Sequence, residues 1–250
     1  MGGYLDSLFQ SVFPIVYYDE HDMVKIAGTA ILVEHVNHHF LVTAAHVLRD
    51  PGSKYQLYVL LQDKAVHLDG PASISRIPEN ENIPDIDTAY FALDYHPTLM
   101  THLNIYKSIT LEEFDEDVNY VRKHYFVFGY PWRRARYNRT DNELSVKPLQ
   151  YFTDIITDRS LYEKFKRPTE SHILVQYKPK STKNADGKEQ LAPHPHGISG
   201  GPLFKALVDK NDNVIALILE GLLIEWKESQ VIVAVKKIKI RDFLESTKVF

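Results

Sequence analysis

The sequence contains no cysteine among its 250 residues. This absence excludes disulfide bonds, thiolate metal ligands and a cysteine nucleophile together. It also fits a protein that works in a reducing compartment. Any covalent catalysis in this chain would therefore have to use another nucleophile.

Long apolar runs and an excess of basic charge are also missing. The longest apolar stretch, VIALILEGLLIEW (214–226), is interrupted by Glu220 and Gly221 and is too short for a membrane-spanning helix. The net charge is −4, so no global basic field favours nucleic acid or an anionic membrane. The first residues lack the features of a secretory signal. We therefore expect a soluble, cytoplasmic protein that binds neither nucleic acid nor membrane.

Short runs of β-branched and apolar residues, separated by turn residues, recur along most of the chain. This pattern favours an all-β barrel or sandwich. An acidic segment near residues 108–120 predicts the connection between an N-terminal half, residues 1–115, and a C-terminal half, residues 116–250. Helical spacing predicts two short helices, one in DRSLYEKFKRP and one in the C-terminal KKIKIRDFLES.

No histidine follows His196, and this absence decides how the segment HPHGISGGPLF (194–204) is interpreted. On its own, GISGG matches the G-x-S-x-G pattern of α/β-hydrolases, in which the histidine follows the serine. The chain order rejects that interpretation. A subtilisin-like order would require a βαβ alternation that the sequence does not show. The order that remains is histidine, aspartate, serine.

Each member of that order has a candidate. LVTAAHVL places His46 directly after an apolar strand, with small residues that permit close packing. DIDTAYFAL places Asp87 at the head of another strand, where a carboxylate can accept a hydrogen bond from a histidine; its rival, Asp85, lacks the small residue that follows. HGISGGPLF supplies Ser199, and the backbone N–H groups of Gly197 and Ser199 can point to one oxyanion.

The blocks TAAHV, DTAYFAL and GISGGPLF resemble the T-A-A-H, D-x-A and G-x-S-G-G-P signatures of the chymotrypsin/trypsin-like serine peptidases. The resemblance implies two six-stranded antiparallel β-barrels and a short C-terminal helix. It places His46 and Asp87 on the first barrel and Ser199 on the second. It further implies a serine endopeptidase that acts on proteins or peptides through this triad, with an oxyanion hole from Gly197 and Ser199. No metal or other cofactor is expected.

The chain departs from the secreted members of that family next to the nucleophile. Ile198 stands where those members have an aspartate that pairs with a newly cleaved N-terminus, so that activation switch is not expected. Pro193 stands where trypsins have the aspartate that selects Lys or Arg, so that preference is not expected either. The chain is more similar to the cysteine-free bacterial members, without a PDZ domain.

Several other residues are predicted to contact substrate. Aligning ALILEG with the family's substrate-binding strand places Gly221 beside the peptide and Leu219 where a serine often supports the catalytic aspartate. Glu220 would then lie in the cleft and favour a basic side chain. His196 would flank the oxyanion loop. An insertion is expected near residues 132–170, as a solvated surface loop.

The resemblance leaves the regulation and the activity open to more than one interpretation. An intracellular protease of this kind requires restraint, so we expect a regulatory protein partner, and the bacterial relatives suggest a stress or antiphage-defence effector. A catalytically silent fold that binds a partner, and an esterase that uses the same residues, are the alternatives. The segment EHVNHH could suggest a metal site, but a hairpin turn with exposed imidazoles at His35, His38 and His39 is the preferred interpretation.

Overall fold

A computed structural model describes residues 10–49, 55–61, 64–78, 85–112, 119–138, 143–179, 182–183, 189–227 and 230–247. The first of two main sheets contains eight strands: β1 (Val12–Tyr18), β2 (Val24–His35), β3 (His38–Ala44), β4 (Leu57–Leu60), β5 (Ala65–His67), β6 (Ser73–Ile74), β7 (Thr88–Ala92) and β8 (Ile109–Thr110). Their order is β5-β4-β1-β2-β3-β7-β6, with β8 beside β2. All pairs are antiparallel except β2 with β8.

The described residues of the second half contribute ten strands: β9 (Arg122–Gly129), β10 (Ala135–Asn138), β11 (Glu143–Val146), β12 (Leu149–Thr153), β13 (His172–Gln176), β14 (Thr182–Lys183), β15 (Glu189–Gln190), β16 (Pro202–Val208), β17 (Val214–Lys227) and β18 (Val231–Lys236). Six of them form the second antiparallel sheet, in the order β12-β9-β16-β17-β18-β13. The pairs β10-β11 and β14-β15 are separate two-stranded ribbons.

Four α-helices and two 3₁₀ helices (Leu93–Tyr95 and Trp132–Arg134) complete the described elements; the α-helices are α1 (Ala45–Arg49), α2 (Pro97–Leu103), α3 (Arg159–Lys164) and α4 (Lys237–Ser246). Both predicted helices are present. The Asp158 side chain starts α3 by accepting a hydrogen bond from the Ser160 backbone N–H at 2.9 Å. Helices α1 and α2 were not expected from the sequence. The prediction of an all-β fold with a short C-terminal helix is confirmed, although the first sheet has eight strands rather than six.

The strand β17 is longer than the sequence indicates. It continues through Glu220 and Gly221 as one strand. Glu220 forms a β-bulge there, because the residues on either side of it, Leu219 and Gly221, pair with consecutive residues of β16. The Glu220 carboxylate lies 3.0 Å from Lys205 Nζ on the neighbouring strand β16. An ion pair across adjacent strands thus allows a charged residue in this apolar strand.

Three buried clusters of apolar side chains support the fold, and the smallest consists of three residues on β16 and β17. The larger cluster includes the first sheet together with side chains of the second, such as Phe126, Phe204 and Leu222. The second cluster lies within the second half and contains Ile198, the residue before the candidate nucleophile, packed with Leu203 and other buried side chains. The hydrophobic residue at 198 therefore anchors the serine loop in a core rather than pairing with a charge.

The strands of the first sheet end at Thr110 and those of the second begin at Arg122. The predicted boundary between residues 115 and 116 falls between them, within residues 113–118 that lie outside the described part of the chain, and it stays a prediction. The predicted insertion, 132–170, contains the β10-β11 ribbon, α3 and the edge strand β12. In the described ranges, no helix is long and apolar enough to cross a membrane.

Candidate active site

His46 and Asp87 meet because two neighbouring strands end at the same place. The strand β3 leads into α1, which carries His46, and its partner β7 begins directly after Asp87. His46 Nδ1 lies 2.6 Å from Asp87 Oδ2. The backbone N–H of His46 donates to Asp87 Oδ1 at 2.9 Å, and that of Ala45 donates to the Asp87 carbonyl at 2.8 Å. The imidazole and the carboxylate are therefore held through side chain and backbone together.

The backbone of Asp87 has an unusual conformation. Its φ of +37° lies in the left-handed region, which residues with a side chain rarely adopt. Asp85 Oδ1 accepts a hydrogen bond from the Asp87 backbone N–H at 3.0 Å. Of the two candidate aspartates, Asp87 thus contacts His46, whereas Asp85 supports the backbone of Asp87.

Ser199 lies in a loop made of two successive tight turns. In the first, Ile198 N–H donates to the Pro195 carbonyl at 3.1 Å, and Gly197 has a φ of +97°. In the second, Gly201 N–H donates to the Ile198 carbonyl at 2.8 Å, and Gly200 has a φ of +85°. A positive φ at the third residue is the signature of a type II turn, and it explains both glycines. The serine occupies the second position of the second turn.

Thr29 of β2 ties this loop to the first sheet. Its Oγ1 donates to the Gly197 carbonyl at 2.9 Å and accepts from the Tyr130 backbone N–H at 3.0 Å. Its own backbone N–H donates to the Ser199 carbonyl at 2.8 Å. Thr29 is fully buried, so none of these hydrogen bonds competes with water.

The peptide group between His196 and Gly197 has a defined orientation. The Trp132 backbone N–H donates to the His196 carbonyl at 3.0 Å. In a planar trans peptide the N–H points away from the carbonyl, so the Gly197 N–H points away from Trp132. Within the described residues, no backbone carbonyl accepts from the N–H of Gly197 or of Ser199. Both donors are thus unused by the backbone around them.

A cavity of about 650 Å³ brings the candidate residues together. His46, Asp87 and Ser199 all line it, and so does Gly197. The first half contributes apolar wall residues such as Val47. The three predicted catalytic residues and both predicted oxyanion donors therefore face one space.

Of the predicted substrate-contacting residues, only His196 lines this cavity. Leu219 is 2% exposed and belongs to the larger core cluster, while Glu220 pairs with Lys205. Gly221 lies inside the sheet, between Leu203 and Lys236.

Pro193 does not line the cavity either; its carbonyl accepts a hydrogen bond from the Tyr177 hydroxyl. The part of β17 that does line it is Leu223–Trp226. Two hydrogen bonds hold this part of β17 against the serine loop. Gly200 N–H donates to the Leu223 carbonyl at 2.6 Å, and Leu223 N–H donates to the Gly201 carbonyl at 2.8 Å. The alignment of ALILEG therefore placed the cavity-lining segment too early in the strand.

The charged residue that this segment brings to the cavity is Glu225. Burial alone raises the pKa of its carboxyl group, but hydrogen bonds from Lys227 and Arg167 outweigh burial and hold the pKa below its ordinary value. Arg167 Nη2 lies 3.0 Å from Glu225 Oε2. Two cations, Arg167 and Lys227, thus contact the carboxylate that this segment brings to the cavity.

Two tryptophans accompany the histidines of the serine loop, and the sequence alone did not indicate this arrangement. The His194 ring packs edge-on against Trp226, with centroids 4.5 Å apart, and His196 lies 6.0 Å from Trp132. Burial lowers the pKa of His194, and the nearby charges of Arg133 and His196 lower it further. His194 Nδ1 lies 3.3 Å from the His196 backbone N–H.

The histidine-rich hairpin does not match its expected exposure. His35 is only 2% exposed, with Nδ1 2.9 Å from Glu112 Oε1 and Nε2 3.0 Å from Glu245 Oε1. His38 is half-buried, and its Nδ1 lies 2.5 Å from Asp94 Oδ2. Across the described ranges, no group of three or more potential ligands is arranged to hold a metal ion.

Comparisons with known proteins bear on the fold. No protein-family model and no curated protein matches the chain. Neuropsin, a serine protease expressed in the limbic system of mouse brain, is 13% identical; the match covers 95% of this chain and 94% of neuropsin, with a TM-score of 0.53. The solved structure of GrC is 14% identical, with 95% and 93% covered and a TM-score of 0.50. The chain therefore has the fold of the trypsin-like serine proteases.

Proposed function

We propose that the protein is a serine endopeptidase that hydrolyses peptide bonds with His46, Asp87 and Ser199. One observation carries this proposal: the bonded His46–Asp87 pair lines the same cavity as Ser199, although the three residues come from distant parts of the chain. A histidine held by a carboxylate, facing a serine, is the arrangement that activates a hydroxyl nucleophile.

The proposed reaction uses side chains, backbone amides and one water molecule. Ser199 Oγ attacks the substrate carbonyl carbon while His46 Nε2 takes the hydroxyl proton. Asp87 accepts the Nδ1–H of His46, fixes its tautomer and stabilises the imidazolium that forms. His46 then protonates the leaving amine as the C–N bond breaks. Water, deprotonated by His46, cleaves the acyl-enzyme and restores Ser199.

The backbone N–H groups of Gly197 and Ser199 are the proposed oxyanion donors. The bond from Trp132 to the His196 carbonyl supports this role, because it turns the Gly197 N–H the other way. A preorganised donor of this kind contributes roughly 3–4 kcal/mol to transition-state stabilisation in related enzymes.

The biological setting is part of the same proposal. The substrates are proteins or peptides, and the two halves, 1–115 and 116–250, act as one peptidase unit. We further propose that the enzyme is cytoplasmic, of the bacterial type, and restrained by a regulatory protein partner until a stress or antiphage response requires it. This setting is tested by identifying new protein termini in cells that express either the wild type or Ser199→Ala. Only the wild type should create such termini.

Reaction with a fluorophosphonate probe tests the chemistry. We expect the wild type to be labelled, Ser199→Ala to be unlabelled, and Asp87→Asn to react about 10³–10⁴-fold more slowly because His46 loses its correct tautomer. Asp94→Asn is the matched control, because it neutralises the carboxylate that contacts His38. His38 and Asp94 form a second histidine–aspartate pair, and neither residue lines the cavity. Its labelling rate should equal that of the wild type.

Three outcomes would contradict the proposal. They are an unlabelled wild type, labelling that survives Ser199→Ala, and equal slowing by Asp87→Asn and Asp94→Asn. An unlabelled but folded wild type would favour a binding module instead. Hydrolysis of ester but not peptide substrates would favour an esterase.

A further inference from the structure

His172 is a buried histidine that the proposed reaction does not use. It begins β13, in the second sheet, and is 1% exposed. Its Nε2 lies 3.1 Å from the carbonyl oxygen of Asp85, in the first half of the chain. A carbonyl only accepts hydrogen bonds, so Nε2 carries the proton and donates. Its Nδ1, 2.9 Å from Ser171 Oγ, is then the acceptor for that hydroxyl.

Asp85 connects His172 to Asp87 through hydrogen bonds. The Asp85 carboxylate accepts the Asp87 backbone N–H at 3.0 Å, and Asp87 in turn binds His46. The left-handed φ of Asp87 needs such support, because a residue with a side chain keeps this conformation only where its neighbours hold it. Three hydrogen bonds thus connect His172 to the imidazole of His46.

This connection crosses between the two halves of the molecule. His172 and Ser199 belong to the second half, whereas Asp85, Asp87 and His46 belong to the first. Leu219, which the sequence alignment placed where a hydroxyl would support the aspartate, has no such group and is buried away from the cavity. His172 provides a polar link from the second half to the segment that carries Asp87.

We propose that His172 is a positioning residue: through the Asp85 backbone it fixes Asp87, and thereby orients His46 toward Ser199. This inference rests on the proposed function and extends it to a residue that touches neither substrate nor nucleophile.

Two amide substitutions differ only in how far they reach. In His172→Gln the side-chain amide can occupy the position of Nε2 and still donate to Asp85, whereas the shorter amide in His172→Asn cannot. We expect His172→Gln to keep the fluorophosphonate labelling rate within about threefold of wild type. His172→Asn should slow it about 10–100-fold, the range that a small displacement of catalytic groups produces.

His96 provides the matched control. It is 5% exposed, and its Nε2 lies 2.9 Å from the Pro71 carbonyl, so it also links a buried imidazole to a backbone oxygen. It does not line the cavity, and His96→Asn should leave the labelling rate within about threefold of wild type. If His172→Asn does not fold, Ser171→Ala, which removes the donor to Nδ1 and lets the ring turn, replaces it with the same expected direction.

A spectroscopic measurement separates this inference from the proposed function. The ¹⁵N chemical shifts of the His46 imidazole report which ring nitrogen carries the proton. We expect Nδ1 in the wild type and His172→Gln, and a shift of population toward Nε2 in His172→Asn. An unlabelled wild type would defeat the proposed function, and the ¹⁵N shifts would still decide the role of His172.

The inference is overturned if His172→Asn keeps both the labelling rate and the His46 tautomer of the wild type. It is also overturned if His96→Asn slows labelling as much as His172→Asn, or if His172→Gln and His172→Asn behave alike. Each of these results would mean that His172 has only a general structural role.

Discussion

At the scale of the residue, Asp87 combines an unfavourable backbone with favourable contacts. A left-handed φ costs a residue with a side chain roughly 1–2 kcal/mol. Its carboxylate accepts from His46 at two points, its N–H donates to Asp85 and its carbonyl accepts from Ala45. Each hydrogen bond contributes about 1 kcal/mol net, and more where a charge takes part, so together the contacts outweigh the strain.

The buried imidazole of His172 makes stability depend on pH. Burial lowers its pKa from 6.5 to about 4. The unfolded chain therefore binds a proton between pH 6.5 and 4 that the folded protein does not, and stability falls as the pH is lowered through this window. The full effect is about 3 kcal/mol. This loss of stability is absent above pH 6.5 and complete below pH 4.

Urea unfolding of the wild type and His172→Gln between pH 4 and 7 measures this contribution. The carboxylates titrate in both proteins, so the difference between the two unfolding free energies isolates His172. We expect this difference to fall by about 1–3 kcal/mol as the pH drops from 7 to 4. Parallel profiles over the whole range would contradict the expectation.

At the scale of the element, α4 depends on packing rather than on its own propensity. No side chain caps its N-terminus, and a helix of ten residues is marginal in isolation. Ile240 and Leu244 are fully buried in the larger core cluster. Phe243 meets the ring of Tyr90, on β7, with centroids 5.4 Å apart. The last helix of the chain therefore packs against the strand that follows Asp87.

Truncation of Leu244 tests how much this helix stabilises the molecule. Leu244→Ala should lower the free energy of unfolding by about 2–5 kcal/mol, through lost burial and the cavity it leaves. The control is Asp242→Ala on the exposed face, which removes a pair with Lys239 at 2.9 Å and should cost no more than about 1 kcal/mol. Chemical denaturation gives both values, and similar losses would contradict the packing account.

At the scale of the whole molecule, contacts between the two halves decide whether the candidate site is assembled. His46 and Asp87 stand on the first half and Ser199 on the second. Thr29 joins the serine loop to β2, and His172 joins β13 to the segment before Asp87. The site therefore depends on a relative placement that neither half specifies alone.

Thr29→Val removes one of these links while keeping the shape of the side chain. It leaves the Gly197 carbonyl and the Tyr130 N–H unpaired in a buried place, at a cost of about 1–3 kcal/mol for each group. We expect lower stability in chemical denaturation and slower fluorophosphonate labelling.

Thr153→Val serves as the control for that substitution. It removes the hydrogen bond that the Thr153 hydroxyl donates to the Gln176 carbonyl at 2.5 Å. Neither residue lines the cavity. Labelling should then proceed at the wild-type rate. Equal effects of the two substitutions on labelling would show that Thr29 does not hold the serine loop.

Local patterns predicted some elements and not others. The helices α3 and α4 were predictable because their helical spacing lies within one stretch of sequence. The two-residue strand β8 was not, because it exists through pairing with Val33 and Glu34 of β2, more than seventy residues away in the chain. The five-residue helix α1 was missed for a similar reason, since it is too short to show a period.

The sequence by itself determined the all-β class, the order of His46, Asp87 and Ser199, and the glycines around the serine, because each of these is a local pattern. Only the tertiary structure decided that Leu223–Trp226, rather than Leu219–Gly221, lines the cavity, since this depends on the register between β17 and the serine loop. It also decided the links made by Thr29 and His172. Those are single contacts between distant segments, and no spacing along the chain encodes which carbonyl a buried side chain will meet.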